Sequence, residues 1–469
     1  MNEKIYNVLD FGAVADGVTQ DTRAVQAAVD ACSAAGGGTV LFPLGKYVLA
    51  TVFLKDNVHI EFADGTLILG ALSFYDYEQQ EKIDYPIYQD ASHTYFNLAM
   101  FVGRGVNNIA LTGKARIDMR SVWDEDGVRG PEIRNRGPKC ISLRECNNVV
   151  ISDLDINKVT DLAIYFAGCE DVEIHDIRMY VYIDGISPDN CKNVKIHDCD
   201  IEAGDDGIVF KSSYTLNRLD VCRNMRVWNC KVKSRCNALK FGTETNGGFY
   251  DTLIENIEIR DTRISAIAIE SVDGAILDGI TIRNVNMTNV NAPIFIHIGK
   301  RMRGPAGLEI GQIKNITLEN IFVDGPYEPY PIIACCYPQF KENDFFQYPW
   351  MLMAPESDEP IEQQRINRRF ADWQMTSNCC GLKERPLENI TLRNVHLKLD
   401  GGVSEYEKTV PDIAPPYPEV FVYGSILPAK GIYFRYVNGL TLDNVTVDTY
   451  RPDAREDFVF EKVENKVQL

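Results

Sequence analysis

The sequence is short of positive charge: its 469 residues carry 48 Lys+Arg against 67 Asp+Glu, a formal charge of −19. Such a field repels nucleic acid, anionic membranes and long polyanions at a distance, which leaves neutral or small partners. The amino terminus, Met1-Asn-Glu-Lys-Ile-Tyr-Asn-Val, has neither the basic nor the apolar stretch of a secretory leader. It reads as the start of a cytoplasmic protein, or of a secreted one whose leader has been removed. A membrane-spanning, collagen-like or disordered composition is absent too, since 45% of the residues are hydrophobic and 25% charged, the balance of a soluble globular chain. An even complement of cysteines is also missing. Thirteen, in a chain too large to need a disulfide framework, leave at least one unpaired and most as thiols.

What is present is a repeat. Asn147-Asn-Val-Val-Ile-Ser-Asp-Leu-Asp-Ile, Glu170-Asp-Val-Glu-Ile-His-Asp-Ile-Arg-Met and Lys192-Asn-Val-Lys-Ile-His-Asp-Cys-Asp-Ile are copies of one unit, with Val149, Val172 and Val194 spaced by 23 and 22 residues. Weaker copies begin at Arg223, Thr252, Gly279, Lys314, Glu388 and Asn438. Apolar and polar residues alternate with period two, the pattern of a strand with one buried face, and Asn or Asp recurs where the chain turns. Short strands every 20-odd residues without helical spacing predict an all-β fold, a right-handed parallel β-helix that fills residues 1–469 as one solenoid. Cys146, Cys169 and Cys191, each just before an Asn-Val or Asp-Val pair, fit a stacked interior ladder better than a set of metal ligands. The vicinal pairs Cys335-Cys336 and Cys379-Cys380 have no such reading. The Asn-x-Thr triplets at Asn286, Asn315, Asn389 and Asn444 fall in or beside the repeat and read as its by-products rather than glycosylation sites.

Two stretches break the pattern. Residues 13–45 contain the helically spaced Asp21-Thr-Arg-Ala-Val-Gln-Ala-Ala-Val-Asp-Ala-Cys followed by Gly36-Gly-Gly, which predicts an N-terminal helix capping the first coil. Residues 323–387 lose the repeat to Tyr, Phe, Trp and Pro, a stretch too long for an ordinary turn. It reads as a lid over a site or a contact between copies in a homo-oligomer, against the plainer alternative of packing on the solenoid flank.

Stacking a second strand of successive coils aligns Asp184-Gly-Ile-Ser, Asp206-Gly-Ile-Val-Phe-Lys211, Asn237-Ala-Leu-Lys-Phe-Gly and Ser265-Ala-Ile-Ala-Ile-Glu270. With strands about 4.8 Å apart, Asp184, Asp206, Asn237 and Ser265 form one column, with Asp205 beside it at a turn. Three carboxylates converging on an exposed sheet surface, with lysines nearby, suit acid-catalysed glycoside cleavage: one protonated acid serves the leaving oxygen and a carboxylate activates water. Crowding of like charge raises the proton affinity of one member. The bland alternative is that Asp-Asp only turns the chain.

These residues also carry a resemblance. The opening Tyr6-Asn-Val-Leu-Asp-Phe-Gly-Ala-Val-Ala-Asp-Gly-Val-Thr-Gln-Asp-Thr and Gly36-Gly-Gly-Thr-Val-Leu-Phe-Pro resemble pectin-lyase-like β-helix proteins. Asp184-Gly-Ile-Ser-Pro-Asp-Asn-Cys-Lys-Asn-Val and Gly204-Asp-Asp-Gly-Ile-Val-Phe-Lys-Ser resemble glycoside hydrolase family 28, the polygalacturonase family, from about Tyr6 to Phe322 and again from Leu387. The resemblance implies hydrolysis with inversion, with Asp205 as general acid and Asp184 and Asp206 activating water; such acid-base chemistry calls for no metal or cofactor. The family's Asn-Thr, Gly-His-Gly and Arg-Ile-Lys correspond here to Tyr182-Ile183, Cys236-Asn237-Ala238 and Ala268-Ile269-Glu270. An acid where a cation should grip a uronate points to a neutral sugar or a short oligosaccharide. The residues expected to bind it are Lys211, Asn237, Lys240, Glu244, Glu270, His297 and Arg301, with Lys240 and Arg301 the cations able to restore uronate binding in another geometry. The competing readings are a polysaccharide lyase, a fructosyl or other glycosyl transferase, and a noncatalytic carbohydrate-binding solenoid.

Overall fold

In the computed structural model, residues 4–123, 136–328, 374–415, 419–424 and 426–469 are described. They group into two compact units, residues 1–203 with 210–230, and residues 204–209 with 231–469. None of the described helices is long and apolar enough to cross a membrane.

In the first unit the repeat forms three parallel ladders. One runs through Val149, Val172, Val194 and Met225, confirming the register that the valine spacing indicates. A second aligns Phe101, Ile141, Ile164 and Ile186, and a third Ile68, Ile117, Ile156, Met179 and Ile201. All these side chains are buried, so each coil adds one apolar residue to each of three stacks. The cysteines behave as the sequence indicates. Cys146, Cys169 and Cys191 are buried thiols, with the Cys146 amide donating to Cys169 Sγ at 3.4 Å.

An α-helix, Thr22–Ala34, turns Val25, Ala28, Val29 and Cys32 inward. Asp21 does not cap it through its side chain; that carboxylate instead accepts the amides of Val14 at 2.7 Å and Ala15 at 3.3 Å. The Gln26 amide ties the helix to the Phe53 backbone in both directions, at 2.8 and 3.0 Å. Gly37 follows at φ +112°, where a Cβ would stand 2.5 Å from the Asn57 carbonyl, so the glycine run is needed to leave the helix.

In the second unit the strands are longer, because the turns between sheets keep their ladder bonds. Gly248–Ser271, Ile276–Ile298, Gln312–Val323, Leu387–Gly401 and Ala429–Arg451 stack Ile254, Ile282, Leu318, Leu392 and Leu442 in one row. The turn asparagines form rows of their own. Asn284, Asn320, Asn394 and Asn444 each donate a side-chain hydrogen bond to the asparagine one coil earlier, at 2.9–3.1 Å, starting from Asn256. All five adopt positive φ near 50–58°, a backbone state that asparagine tolerates better than most residues.

The repeat resumes earlier than the sequence pattern indicates. Ser377–Cys380 is a strand paired to Phe295–His297 on one side and Ile432–Arg435 on the other. Cys379 takes the inward place between Ile296 and Phe434, and Cys380 the outward place between His297 and Arg435, which accounts for that vicinal pair. Residues 329–373, with Cys335-Cys336 and the body of the expected lid, lie outside the described residues.

Candidate functional site

In the second unit, Gly204-Asp-Asp-Gly207 forms a turn held close to the strands that follow it. A Cβ on Gly207 would meet Val232 Cγ1 at 2.4 Å and the Ala238 carbonyl at 2.7 Å. Only glycine lets the turn sit there, and its amide donates to the Asn237 carbonyl at 2.8 Å. The Asp205 carbonyl accepts from Ser234 Oγ at 2.6 Å while its carboxylate stays half-buried. Asp206 turns inward. Its Oδ1 accepts from Asn237 Nδ2 at 2.9 Å and the Asn237 amide at 3.2 Å, and Asn237 Oδ1 accepts the Ser265 amide at 3.1 Å. The Asn237–Ser265 step of the column is a register pair of the parallel ladder.

Asp206 Oδ2 lies 3.3 Å from Lys240 Nζ, whose other partner is Glu419 Oε1 at 3.0 Å. Glu419 belongs to a strap, described over residues 402–415, 419–424 and 426–428, laid over the outward face of the strands that carry Ala268, Phe295 and Asn378. Val420 of the strap packs with Ala268, Ala292, Phe295 and Met375. Tyr423 packs with Val410, Leu427, Cys380 and Tyr433 and meets His297 Nδ1 at 3.3 Å. Asn378 Nδ2 donates to the Val420 carbonyl at 3.1 Å, and Arg435 donates to the Val410 and Pro411 carbonyls at 2.6 Å each.

The strap corrects one expectation. Alternation places Lys240, Glu270 and His297 outside the solenoid core, but outward is not exposed: Lys240 is 2% accessible and Glu270 and His297 are 0%. Neither Glu270 nor His297 is presented to a ligand as a surface binder would be. Asp184 and Asp206, expected on an exposed surface, are each 4% accessible. Burial pushes the Glu270 carboxyl well above the usual range, against the pull of Lys240, and among the described residues no donor serves either oxygen. Burial holds His297 down at about 3. Glu419 is raised to about 7 by burial, with Lys240 opposing and Asp206 adding to the rise. Burial works against the charge on Lys240, yet Asp206, Glu419 and Glu270 together hold it well above an ordinary lysine.

In the first unit, Asp184 Oδ2 stands 3.8 Å from Lys211 Nζ, both nearly buried. The aromatic Tyr182 just before it is tilted against Trp123, with ring centroids 6.0 Å apart, and meets Ser121 Oγ at 3.1 Å. Asp189 is fully buried, accepting from Ser213 Oγ at 2.5 Å, the Ser213 amide at 2.9 Å and Tyr165 at 3.0 Å. Two further expected binders hold ion partners of their own in the second unit. Glu244 pairs with Arg303 at 2.5 Å, and Arg301 Nε donates to Asp273 at 2.9 Å while its Nη2 reaches the Thr243 carbonyl at 2.7 Å. Arg301 is therefore not a loose cation.

Sequence reasoning missed Glu419. It lies 179 residues from Lys240, in a stretch without repeat pattern, and nothing local signals its contact. Among the described residues one group has metal-ligand geometry: Asp205, Asp206 and Cys236 place an oxygen or sulfur each within 4.8 Å of one another. The Lys240 ammonium already supplies positive charge to Asp206, so the group suits proton chemistry better than a cation.

The model of glycosyl hydrolases family 28 matches residues 55–328. The exo-poly-alpha-D-galacturonosidase of Dickeya chrysanthemi is 23% identical over 338 residues, covering 61% of this chain and 56% of that protein. The chain thus spans about half the length of the curated relatives it matches. Among solved structures, the family 28 exopolygalacturonase of Yersinia enterocolitica has a TM-score of 0.66 at 18% identity, over 98% of this chain and 78% of that one. The hyperthermoactive exopolygalacturonase of Thermotoga maritima has a TM-score of 0.64 at 18% identity, over 85% and 88%. The shared fold is all-β, a parallel β-helix.

Proposed function

The chain belongs to glycosyl hydrolases family 28, and from that membership we propose that it hydrolyses a glycosidic bond of a plant-type oligosaccharide with inversion, at a neutral sugar rather than a galacturonate. The observation that carries the hydrolase reading is the Asp205-Asp206 turn, which holds one carboxyl half-buried and the other fixed by Asn237 and Lys240. Asp205 gives the proton to the leaving oxygen and Asp206 activates the attacking water, the role that the family motif also gives Asp184.

The neutral-sugar reading has its own support. A uronate needs an uncommitted cation, and Lys240 already has two carboxylate partners while Arg301 is engaged by Asp273. Ala268 and Glu270 lie under the strap. A carboxylate brought beside Asp206 and Glu419, which already share one lysine, would meet repulsion in a site of low dielectric. The strap also covers the outward face of the strands that follow Lys240, so a polymer has no open sheet to run along on that side, which favours a short oligosaccharide or a chain end. In the same reading the helix at Thr22–Ala34 caps the first coil, and the buried thiols suit a reducing compartment, the cytoplasm.

The test is kcat/KM on unsubstituted polygalacturonate against neutral and rhamnose-containing plant oligosaccharides, at two salt concentrations because surface repulsion is screened. Preference for the neutral substrates supports the reading. Efficient cleavage of polygalacturonate at low salt removes the neutral-sugar part, an unsaturated uronate product replaces hydrolysis by a lyase reaction, and transfer to a sugar acceptor makes it a transferase. Binding without any product leaves a carbohydrate-binding solenoid.

A further inference from the structure

We propose that Glu419 is a positioning residue of the hydrolytic site: reaching down from the strap, it clamps the Lys240 ammonium against Asp206, so that the lysine serves as internal counter-ion to the water-activating carboxylate. The proposal rests on the role given to Asp206 above.

Both carboxylates meet the same ammonium. Glu419 Oε1 is 3.0 Å from Lys240 Nζ, and Nζ is 3.3 Å from Asp206 Oδ2, with side-chain exposures of 6%, 3% and 6%. A lysine is a flexible point charge with three donors, and one carboxylate alone does not fix where it points. A second carboxylate on the same ammonium does. The strap is well anchored where it matters: Val420, the next residue, is seated among Ala268, Ala292, Phe295 and Met375, with its carbonyl held by Asn378. The turn Val420–Tyr423 therefore delivers the Glu419 side chain to one place.

Charge counting explains why a glutamate here does more than fill space. Asp206, Glu270 and Glu419 share one buried lysine, and three ionised acids around one cation would leave a net buried charge that the interior does not tolerate. The site is relieved by keeping a proton. Among the described residues the Glu270 oxygens receive no donor and Glu419 Oε2 receives none, whereas Asp206 accepts from Asn237 twice and pairs with Lys240. Burial raises the proton affinity of both glutamates, while the donors converge on Asp206. The groups that bear on Glu419 are Asp205 and Asp206 from the turn, Lys240 from Asn237–Thr245 and Glu270 from Gly248–Ser271. Cys236 also bears on it, with Arg301 bearing on Glu270 from beyond it and His297 and Tyr423 completing the wall. With Glu419 titrating near 7, the clamp changes strength across the neutral range.

The test compares full-length wild type with Glu419→Gln, which keeps the shape and an acceptor but loses the charge, and Glu419→Ala, which loses both. The probe is a rhamnogalacturonan-derived oligosaccharide, followed by reducing-end release, alongside thermal unfolding from pH 5 to 8. Expected for Glu419→Gln are a fall in kcat of about tenfold, equivalent to one unit of proton affinity, a KM within about twofold of wild type, and loss of the inflection near pH 7. Glu419→Ala should lose more. Unchanged pH profiles for kcat and kcat/KM in both variants overturn the proposal, even if both melt lower, since a purely structural strap would give that result. Wild type that releases no reducing ends from this probe sinks the hydrolase reading for it, and the melts then decide the clamp alone: a wild-type stability that declines toward neutral pH, flattened in Glu419→Gln, retains it, and superimposable slopes overturn it.

Discussion

Glu270 and His297 are register partners on adjacent parallel strands, both fully buried beneath the strap, and burial strips each of its charge. Burial raises the proton affinity of the acid and lowers that of the base, so the face around these two residues is closer to a core than to a binding surface.

This pair predicts opposed pH effects on stability. The unfolded chain protonates His297 below 6.5, while the folded one resists until about 3, so its contribution is lost as the pH falls through that window. Glu270 is raised in the folded state, so its contribution is present below 4.5 and lost as the pH rises. His297→Gln should therefore flatten the acid side of a plot of Tm against pH, and Glu270→Gln should raise Tm above wild type at pH 8. Curves parallel to wild type for both variants would show that neither group is buried as described.

Asp205→Asn and Asp184→Asn should each reduce kcat by about 10²–10⁴-fold, the range for loss of a positioned proton donor or acceptor. Their stability effects should differ. Asp205 is half-buried, and its variant should unfold close to wild type, whereas Asp184 shares a nearly buried pair with Lys211 and its variant removes that pair. Near wild-type rates for both variants on a cleaved substrate would return the acids to a turn-forming role.

The parts of this molecule legible in the sequence are those set by local repetition. Val149, Val172 and Val194 announce their stacking because each sits in a near-identical ten-residue copy, and the Asp206, Asn237 and Ser265 alignment follows from the same counting. Glu419 and the strap follow from no period. The strap buries Ala268 and Phe295 through Val420, more than a hundred residues away, and sequence alternation records only which side of the sheet a residue takes, not what later covers that side. That is why Lys240 and Glu270 read as surface binders and are buried. The resumption of the ladder at Ser377 was hidden for a related reason, because Ser-Asn-Cys-Cys is too short to show a period.

Gly207→Ala should distort the acid turn. The added methyl would fall 2.4 Å from Val232 Cγ1 and 2.7 Å from the Ala238 carbonyl, and the backbone atom cannot yield as a side chain would. Overpacking of this kind costs about 1–3 kcal/mol, and the movement that relieves it displaces Asp205 and Asp206 together. A drop in kcat with a lower Tm is expected. A variant with wild-type Tm and rate would mean that the turn has room the structure does not show.

Activity should survive exhaustive chelation. Asp205, Asp206 and Cys236 come within 4.8 Å of one another, a spacing that a cation of modest size would span. Against binding there, Lys240 stands 3.3 Å from Asp206, and a divalent ion would have to share that carboxylate with an ammonium. The third donor is also unready: burial, reinforced by Asp206, raises the Cys236 thiol well above its ordinary range, so it stays protonated where a metal needs a thiolate. Cys236→Ser should accordingly leave kcat/KM within about threefold of wild type, since a hydroxyl replaces a thiol of similar shape and no step of acid-base hydrolysis uses it. The check is turnover before and after dialysis against chelator, with zinc and calcium added back separately. Loss of turnover that zinc or calcium restores in wild type, and that Cys236→Ser no longer shows, would assign the three residues to a metal and displace the acid-base reading of Asp206.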